Sequence, residues 1–244
     1  MAGNRRRAEQ RKNSRDYLEK GKPITEKPKR LSRKKSPVPS FNEEERLLAN
    51  GYRYIAGIDE VGCGALAGPV VAAAVIMPYP LKTPWLKQVK DSKLLNPEQR
   101  SILSYHIRKT AISIGVGSVP PDFIDARGLT KARRLAMKQA VEQLSPQPES
   151  LLIDFILLPN VRIPQKGVID GDSLCFSIAC ASIIAKVARD SLMVELDKIH
   201  PGYGLAQHKG YGTKNHLACL RRLGPSPIHR LSFQPVQDAM QNEA

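Results

Sequence analysis

Four carboxylates sit where an ordinary soluble domain would place apolar side chains. Asp59 and Glu60 close the apolar run that begins at Tyr54, Asp154 interrupts Leu-Leu-Ile-Asp-Phe-Ile-Leu-Leu, and Asp172 follows Val168-Ile-Asp-Gly at a helix start. An ionised acid is almost never fully buried unless it is paired or bound to a cation. Acids gathered without a cation would raise one another's pKa values, whereas Mg²⁺ or Mn²⁺, which prefer hard oxygen ligands, would make the same cluster favourable. Each acid also has a plainer reading. Asp172 could cap a helix, Asp154 could pair with a buried arginine, and Asp59 with Glu60 could be a solvated turn. Directly after the first pair comes Gly62-Cys63-Gly64-Ala65-Leu66-Ala67-Gly68-Pro69. Its small residues let a ligand approach the backbone and leave N–H groups free to meet oxygen atoms. It is neither GxGxxG nor a Walker A loop, and a tight hairpin turn would have the same composition.

These residues need elements to hold them. Residues 52–58 and 70–77 read as short buried strands forming a hairpin, and residues 111–119 alternate Ile112, Ile114 and Val116 with Ser113, Gly115 and Gly117. Asn96-Pro97-Glu98 is a helix start predicted to run to about Lys109, and a second helix is expected from Thr130 to about Leu144, ended by Pro146 and Pro148. Residues 151–156 and 168–170 complete the strands. A long helix is expected over residues 173–199, stopped by His200-Pro201-Gly202, and its Ala- and Ile-rich first half must be buried. The pattern is α/β, a mixed sheet flanked by helices with a helical C-terminal extension.

The chain has 244 residues with 41% hydrophobic side chains, enough for a proper core. Its net charge of +15 suits a polyanionic partner, but residues 1–40 hold 14 Lys/Arg against 4 Asp/Glu, a net of +10, which leaves +5 for the remainder. That segment, broken by Pro23, Pro28, Pro37 and Pro39, is expected to be a disordered basic tail, with residues 1–44 as tail, 45–200 as catalytic domain and 201–244 as C-terminal segment. Cys63, Cys175, Cys180 and Cys219 form no CxxC pair, which argues against a zinc site or disulfide framework and for a reducing cytoplasm. The charged N-terminus is no secretory signal. Glycines and a proline break the long uncharged stretch over residues 61–77, so no membrane span is expected.

Residues 54–75, Tyr-Ile-Ala-Gly-Ile-Asp-Glu-Val-Gly-Cys-Gly-Ala-Leu-Ala-Gly-Pro-Val-Val-Ala-Ala-Ala-Val, resemble the signature of the ribonuclease HII family, the type 2 ribonucleases H. Further segments agree in order: Asp91-Ser92-Lys93-Leu94, Asp154, Gly171-Asp172, residues 177–190 ending Ala-Lys-Val-Ala-Arg-Asp, Tyr203-Gly204, His208-Lys-Gly-Tyr-Gly-Thr213 and His229-Arg-Leu-Ser-Phe233. The resemblance covers about residues 52–235. It implies a ribonuclease H-like fold in which Asp59, Glu60, Asp154 and Asp172 are catalytic and hold two Mg²⁺ or Mn²⁺ ions at the scissile phosphate. The implied activity is endonucleolytic cleavage of the RNA strand of RNA:DNA hybrids, and of single ribonucleotides embedded in duplex DNA, leaving 3′-hydroxyl and 5′-phosphate ends. Such an enzyme clears misincorporated ribonucleotides and replication primers.

By the same resemblance Gly62, Cys63 and Gly64 contact the 2′-hydroxyl through backbone groups, Tyr211 stacks on a sugar near the RNA-to-DNA junction, and Ser92 and Lys93 grip a phosphate. Asp190 is expected to be a structural partner beside Arg189, Lys186 to meet either a phosphate or a carboxylate, and His208 and His229 to form structural hydrogen bonds. Cys63 departs from the family's usual Arg or Lys, which removes a cationic contact; a small buried thiol is favoured over a redox-sensitive one. Rival readings are an integrase or resolvase of the same fold class and a catalytically weak hybrid-binding protein. Nothing demands more than a monomer.

The charge division generates a prediction. Deleting residues 1–40 is expected to weaken duplex binding at low salt and to flatten its salt dependence, as measured by fluorescence anisotropy. Identical salt titrations for the two chains would remove the tail from substrate binding.

Overall fold

The structure, a computed structural model, describes residues 38–241. The basic segment up to residue 37 lies outside the described residues. Five strands form one sheet in the order β3-β2-β1-β4-β5: β1 (Ile55–Val61), β2 (Val70–Ile76), β3 (Ser113–Val119), β4 (Ser150–Asp154) and β5 (Gln165–Val168). β1, β2 and β3 pair antiparallel, whereas β4 lies parallel to both β1 and β5. The expected hairpin and mixed sheet are therefore present, with β1 running three residues further than expected and carrying Asp59 and Glu60 within the strand.

Helices cover both faces. Pro97–Thr110 (α2) begins with a full capping box, in which Asn96 accepts from the Gln99 N–H and the Gln99 side chain returns the bond. Pro121–Arg127 (α3) leads into Leu129–Glu142 (α4), which packs Ala132, Ala136, Met137 and Ala140 on Ala56, Ile58, Ala72, Ala74 and Ile153 of the sheet. On the opposite face Ala73 and Val75 meet Leu103 and Ile107 of α2 and the apolar half of the long helix Phe176–Ile199. The alternation expected in β3 has a specific purpose. A Cβ on Gly115 would stand 1.9 Å from the Ala140 carbonyl and one on Gly117 2.0 Å from that of Ala136, so the glycine face lets α4 lie directly on the strand.

Several boundaries differ from expectation: β4 ends at Asp154 rather than residue 156, β5 spans Gln165–Val168 rather than 168–170, and two further differences involve helices. The globular part begins before residue 44: Asn42–Ala49 is already helical (α1), and Phe41 packs on Phe176 with ring centroids 4.5 Å apart. The long helix is interrupted at Cys175, which is extended between the short turn Gly171–Leu174 (α5) and Phe176–Ile199 (α6). Ser40 bonds across that break, donating to Leu174 O and accepting from the Phe176 N–H, so a tertiary contact overrides local helix preference.

The C-terminal part is helical as expected, with Leu205–His208 (α7), Lys214–Leu223 (α8) and Gln234–Gln241 (α9). It packs Tyr203, Leu205, Leu220, Val236 and Ala239 around Met193 of α6 and Leu66 and Ala67 of the turn after β1, within one compact unit with the sheet. No described helix is long and apolar enough to cross a membrane.

β1 and α6 also pack backbone to backbone. A Cβ on Gly57 would stand 2.1 Å from the Ser177 carbonyl carbon, which is backbone and cannot swing aside. Gly57→Ala is expected to destabilise by about 3 kcal/mol or more, read as a fall in Tm of roughly 6 °C or more. An unchanged Tm would show that the helix does not rest on this strand.

Candidate active site

The parallel pairing of β1 and β4 brings the acids together. Ile58 is registered with Ile153, so Asp59 and Asp154 are the next residues on adjacent strands, at the carboxyl end of both. Adjacent strands lie about 4.8 Å apart, which leaves two carboxylates little room to avoid one another. Asp59 is only 6% exposed and accepts the Glu60 N–H at 2.7 Å. Burial first, then the charge of Glu60, pushes its carboxyl well above the usual range, although a hydrogen bond from Ser182 of α6 works the other way. Asp154 accepts the Gly171 N–H at 2.8 Å, and burial still raises its carboxyl against that bond. A Cβ on Gly171 would come within 3.2 Å of Asp154 Oδ1 and 2.7 Å of Ile178, so glycine is what allows this approach.

Glu60 points to the other face of β1, where Arg133 of α4 meets its Oε1 at 2.6 Å. Its Oε2 is buried without a hydrogen-bond partner among the described residues. Asp172, 6% exposed in α5, receives Lys93 Nζ at 2.9 Å. All four predicted acids therefore lie at one end of the sheet, and Asp59, Glu60 and Asp154 line one cleft of about 500 Å³ with Gly62, Cys63, Gly64, Lys93 and Tyr211. They do not form a ready-made cage. Among the described residues no three His, Cys, Asp or Glu side chains converge on a common point, because Lys93 and Arg133 each draw one acid away.

The glycine turn forms the cleft's next wall. Gly62 has φ +93, and a Cβ there would stand 2.2 Å from Arg189 Nε. Arg189 is fully buried on α6 and donates to the carbonyls of Pro69, Ala67 and Lys209, and Arg230 donates to those of Gly68 and Cys63. With those carbonyls turned inward onto guanidinium groups, Leu66 N–H is left to bond Gly210 O, and an isolated bridge joins Ala65 to Tyr211. Burial, and then the neighbouring Arg189, lowers Arg230 to about 10, still charged at neutral pH. Cys63 points at Glu60 Oε1, 3.4 Å away. Burial and that carboxylate push its thiol up to about 12, which disfavours the reactive thiolate.

The predicted phosphate loop is arranged differently from expectation. Ser92 is buried, with its hydroxyl 2.9 Å from that of Ser182, so it supports Asp59's neighbour and presents no hydroxyl outward. Lys93 is exposed over most of its length but ends on Asp172. Tyr211 is half-buried, with its ring 5.4 Å from the Arg189 guanidinium and 5.8 Å from Lys186 Nζ. Lys186 is an ion-pair partner, 2.7 Å from Asp190, and Asp190 is held by Lys186 and Arg100 at 3.7 Å while Arg189 goes to the turn. His208 bonds the Tyr203 carbonyl and His229 lies Nε2 to Nε2 with His216 at 3.1 Å, both structural contacts as expected. The sequence reading missed Arg133, Ser182, Arg230 and His216. Arg230 lay in plain view within the His229–Phe233 segment, but a buried arginine bonded only to carbonyls leaves no local pattern.

Comparison with known proteins places the chain in a family. The ribonuclease HII family model matches residues 56–236. A ribonuclease HII of Dehalococcoides mccartyi is 57% identical over 199 residues, 82% of this chain and 94% of its own length. One from Desulfitobacterium hafniense is 55% identical over 200 residues, covering 82% and 76% respectively. The crystal structure of ribonuclease H2 from Pyrococcus horikoshii superimposes with a TM-score of 0.63 over 77% of this chain and 97% of that one, at 22% identity, and shares the ribonuclease H-like fold. A shared fold, a family match spanning both acid-bearing strands and the glycine turn, and relatives more than half identical lead to one conclusion: the chain belongs to the ribonuclease HII family and is a ribonuclease H endonuclease.

Proposed function

We propose that the chain cleaves the RNA strand of RNA:DNA hybrids and single ribonucleotides embedded in duplex DNA, leaving 3′-hydroxyl and 5′-phosphate ends, as a cytoplasmic, metal-dependent enzyme. The observation that carries this reading is that Asp59 and Asp154 stand side by side on adjacent parallel strands in the same cleft as the Gly62–Gly64 backbone. Acid chemistry and a backbone surface able to meet a 2′-hydroxyl are thus neighbours, and the 2′-hydroxyl is the atom that separates RNA from DNA. The four free cysteines suit a reducing compartment.

The donor set fits Mg²⁺ or Mn²⁺, with Asp59, Glu60, Asp154 and Asp172 as the residues that would hold the ions. Two observations support the fit: Glu60 Oε2 is a buried carboxylate oxygen with no partner among the described residues, and burial with mutual repulsion raises Asp59 and Asp154. Bound there, divalent ions supply positive charge at the scissile phosphate and lower the pKa of an attacking water. The chain's own groups do the positioning. Arg189 and Arg230 hold the glycine turn rigid, so its N–H groups meet the ribose without reorganising. Tyr211 offers a ring to the adjoining sugar, held in place by the cations beneath it. Lys93 keeps Asp172 paired in the free protein, and the same ammonium is close enough to the cleft to turn to a substrate phosphate once that acid is engaged elsewhere.

The test is a labelled DNA duplex with one ribonucleotide, incubated with Mg²⁺ or Mn²⁺ beside all-DNA and all-RNA duplexes. Only the ribonucleotide-containing strand is expected to be cut, and Asp154→Asn should lose about a hundredfold or more in rate. Cutting of the all-DNA control would point to a resolvase-like activity, and binding without cutting by the wild-type chain would point to a hybrid-binding protein.

A further inference from the structure

One residue beside the acids is used neither by the fold nor by the chemistry above. Phe155 follows Asp154 directly, has φ 62, and is 64% exposed. Ile156 N–H donates to Asp154 O at 2.8 Å, so Asp154, Phe155 and Ile156 make a three-residue turn with Phe155 at its centre in the left-handed region. That conformation is strained for a bulky L residue and free of strain for glycine. The backbone is fixed there from outside, because Phe155 N–H donates to Val168 O across the β4–β5 pair. The ring gains little in return from the folded chain. Next to it Ile169, at the end of the neighbouring parallel strand, is 71% exposed, so two apolar side chains project together at the carboxyl end of the sheet. Ligands of α/β sheets approach at that end, and strain held without a packing return marks a functional position.

We propose that Phe155 is a substrate-binding contact, its ring stacking on the sugar or base of a nucleotide beside the scissile phosphate, with Ile169 extending the same apolar surface. Tyr211 lies with the glycine turn beyond β1, and Phe155 lies beyond β4, the next strand over. The strand carrying the ribonucleotide would pass over Asp59 and Asp154 with an aromatic ring on either side. Stacking of this kind is tolerant of sequence, since every base presents a π-face. It would add affinity to an enzyme that has to act at any ribonucleotide. This inference rests on the substrate reading above.

The experiment compares Phe155→Gly, Phe155→Ala and Phe155→Tyr with the wild-type chain on the single-ribonucleotide duplex, with Tm measured on the same samples. Phe155→Gly is expected to raise KM about five- to tenfold with kcat within about twofold, while Tm stays level or rises. Phe155→Ala should raise KM similarly with a lower Tm, and Phe155→Tyr should keep the wild-type KM. An unchanged KM in Phe155→Gly overturns this inference alone, as does a rise in KM that Phe155→Tyr shares. A wild-type chain that does not cut the duplex overturns the substrate reading and this inference with it.

Discussion

Asp59 sits on β1, near the middle of the sheet, with Asp154 beside it on β4 and Glu60 next along the chain. Concentrating like charge in a buried place is unfavourable, and much of the surrounding architecture follows from managing it. Lys93 reaches over to Asp172, Arg133 reaches up to Glu60, and Ser182 and backbone N–H groups serve Asp59 and Asp154. These contacts offset the repulsion only in part. Because burial raises the carboxyls of Asp59 and Asp154, the folded chain binds their protons more tightly than the unfolded chain does. Their contribution to stability is therefore greatest at acid pH and falls as pH rises through their folded values. Ionising both acids works against burial and mutual repulsion, and a divalent cation held between them would offset that cost.

The opposite problem is solved a few residues away. Arg189 and Arg230 are both fully buried, and neither has a carboxylate partner in its hydrogen bonds, which go to carbonyls of residues 63–69 and 209. A guanidinium can satisfy several carbonyls at once because its donors fan out in a plane. The two side chains therefore fix a turn rich in small residues, which would otherwise lack side chains to pack. This also explains why the C-terminal helices belong with the sheet. Arg230 arrives from the segment after α8, and Leu66 and Ala67 are buried against α6 and the C-terminal helices. Acids on one wall of the cleft and clamped backbone on the other are thus built from residues 59 to 230 without a separate substrate-binding domain.

Much of this was legible in the sequence because carboxylates within apolar strands are anomalies at any level of description. Asp59, Asp154 and Asp172 announced themselves that way, and Asn96-Pro97 announced the start of α2 through its cap. What stayed hidden depends on long-range contacts. The break at Cys175 exists because Ser40 pairs there, across a separation of 135 positions that no local pattern spans. The contact between the Ser92 and Ser182 hydroxyls, and the partners that Glu60 and Asp172 find on α4 and in the turn before α2, leave no local pattern. Phe155 read as one more apolar strand residue, and only its left-handed backbone set it apart.

Stability in the absence of any substrate tests most directly whether the clustered acids form an electrostatically strained site that a cation completes. Wild-type chain and Asp59→Asn would be unfolded at pH 8 in EDTA and again in Mg²⁺. The amide keeps the shape of Asp59 and removes its charge. On this account Asp59→Asn has the higher Tm in EDTA, and Mg²⁺ raises the Tm of the wild-type chain while leaving the variant nearly unchanged. A variant less stable than wild type in EDTA, with both chains shifted equally by Mg²⁺, would contradict it.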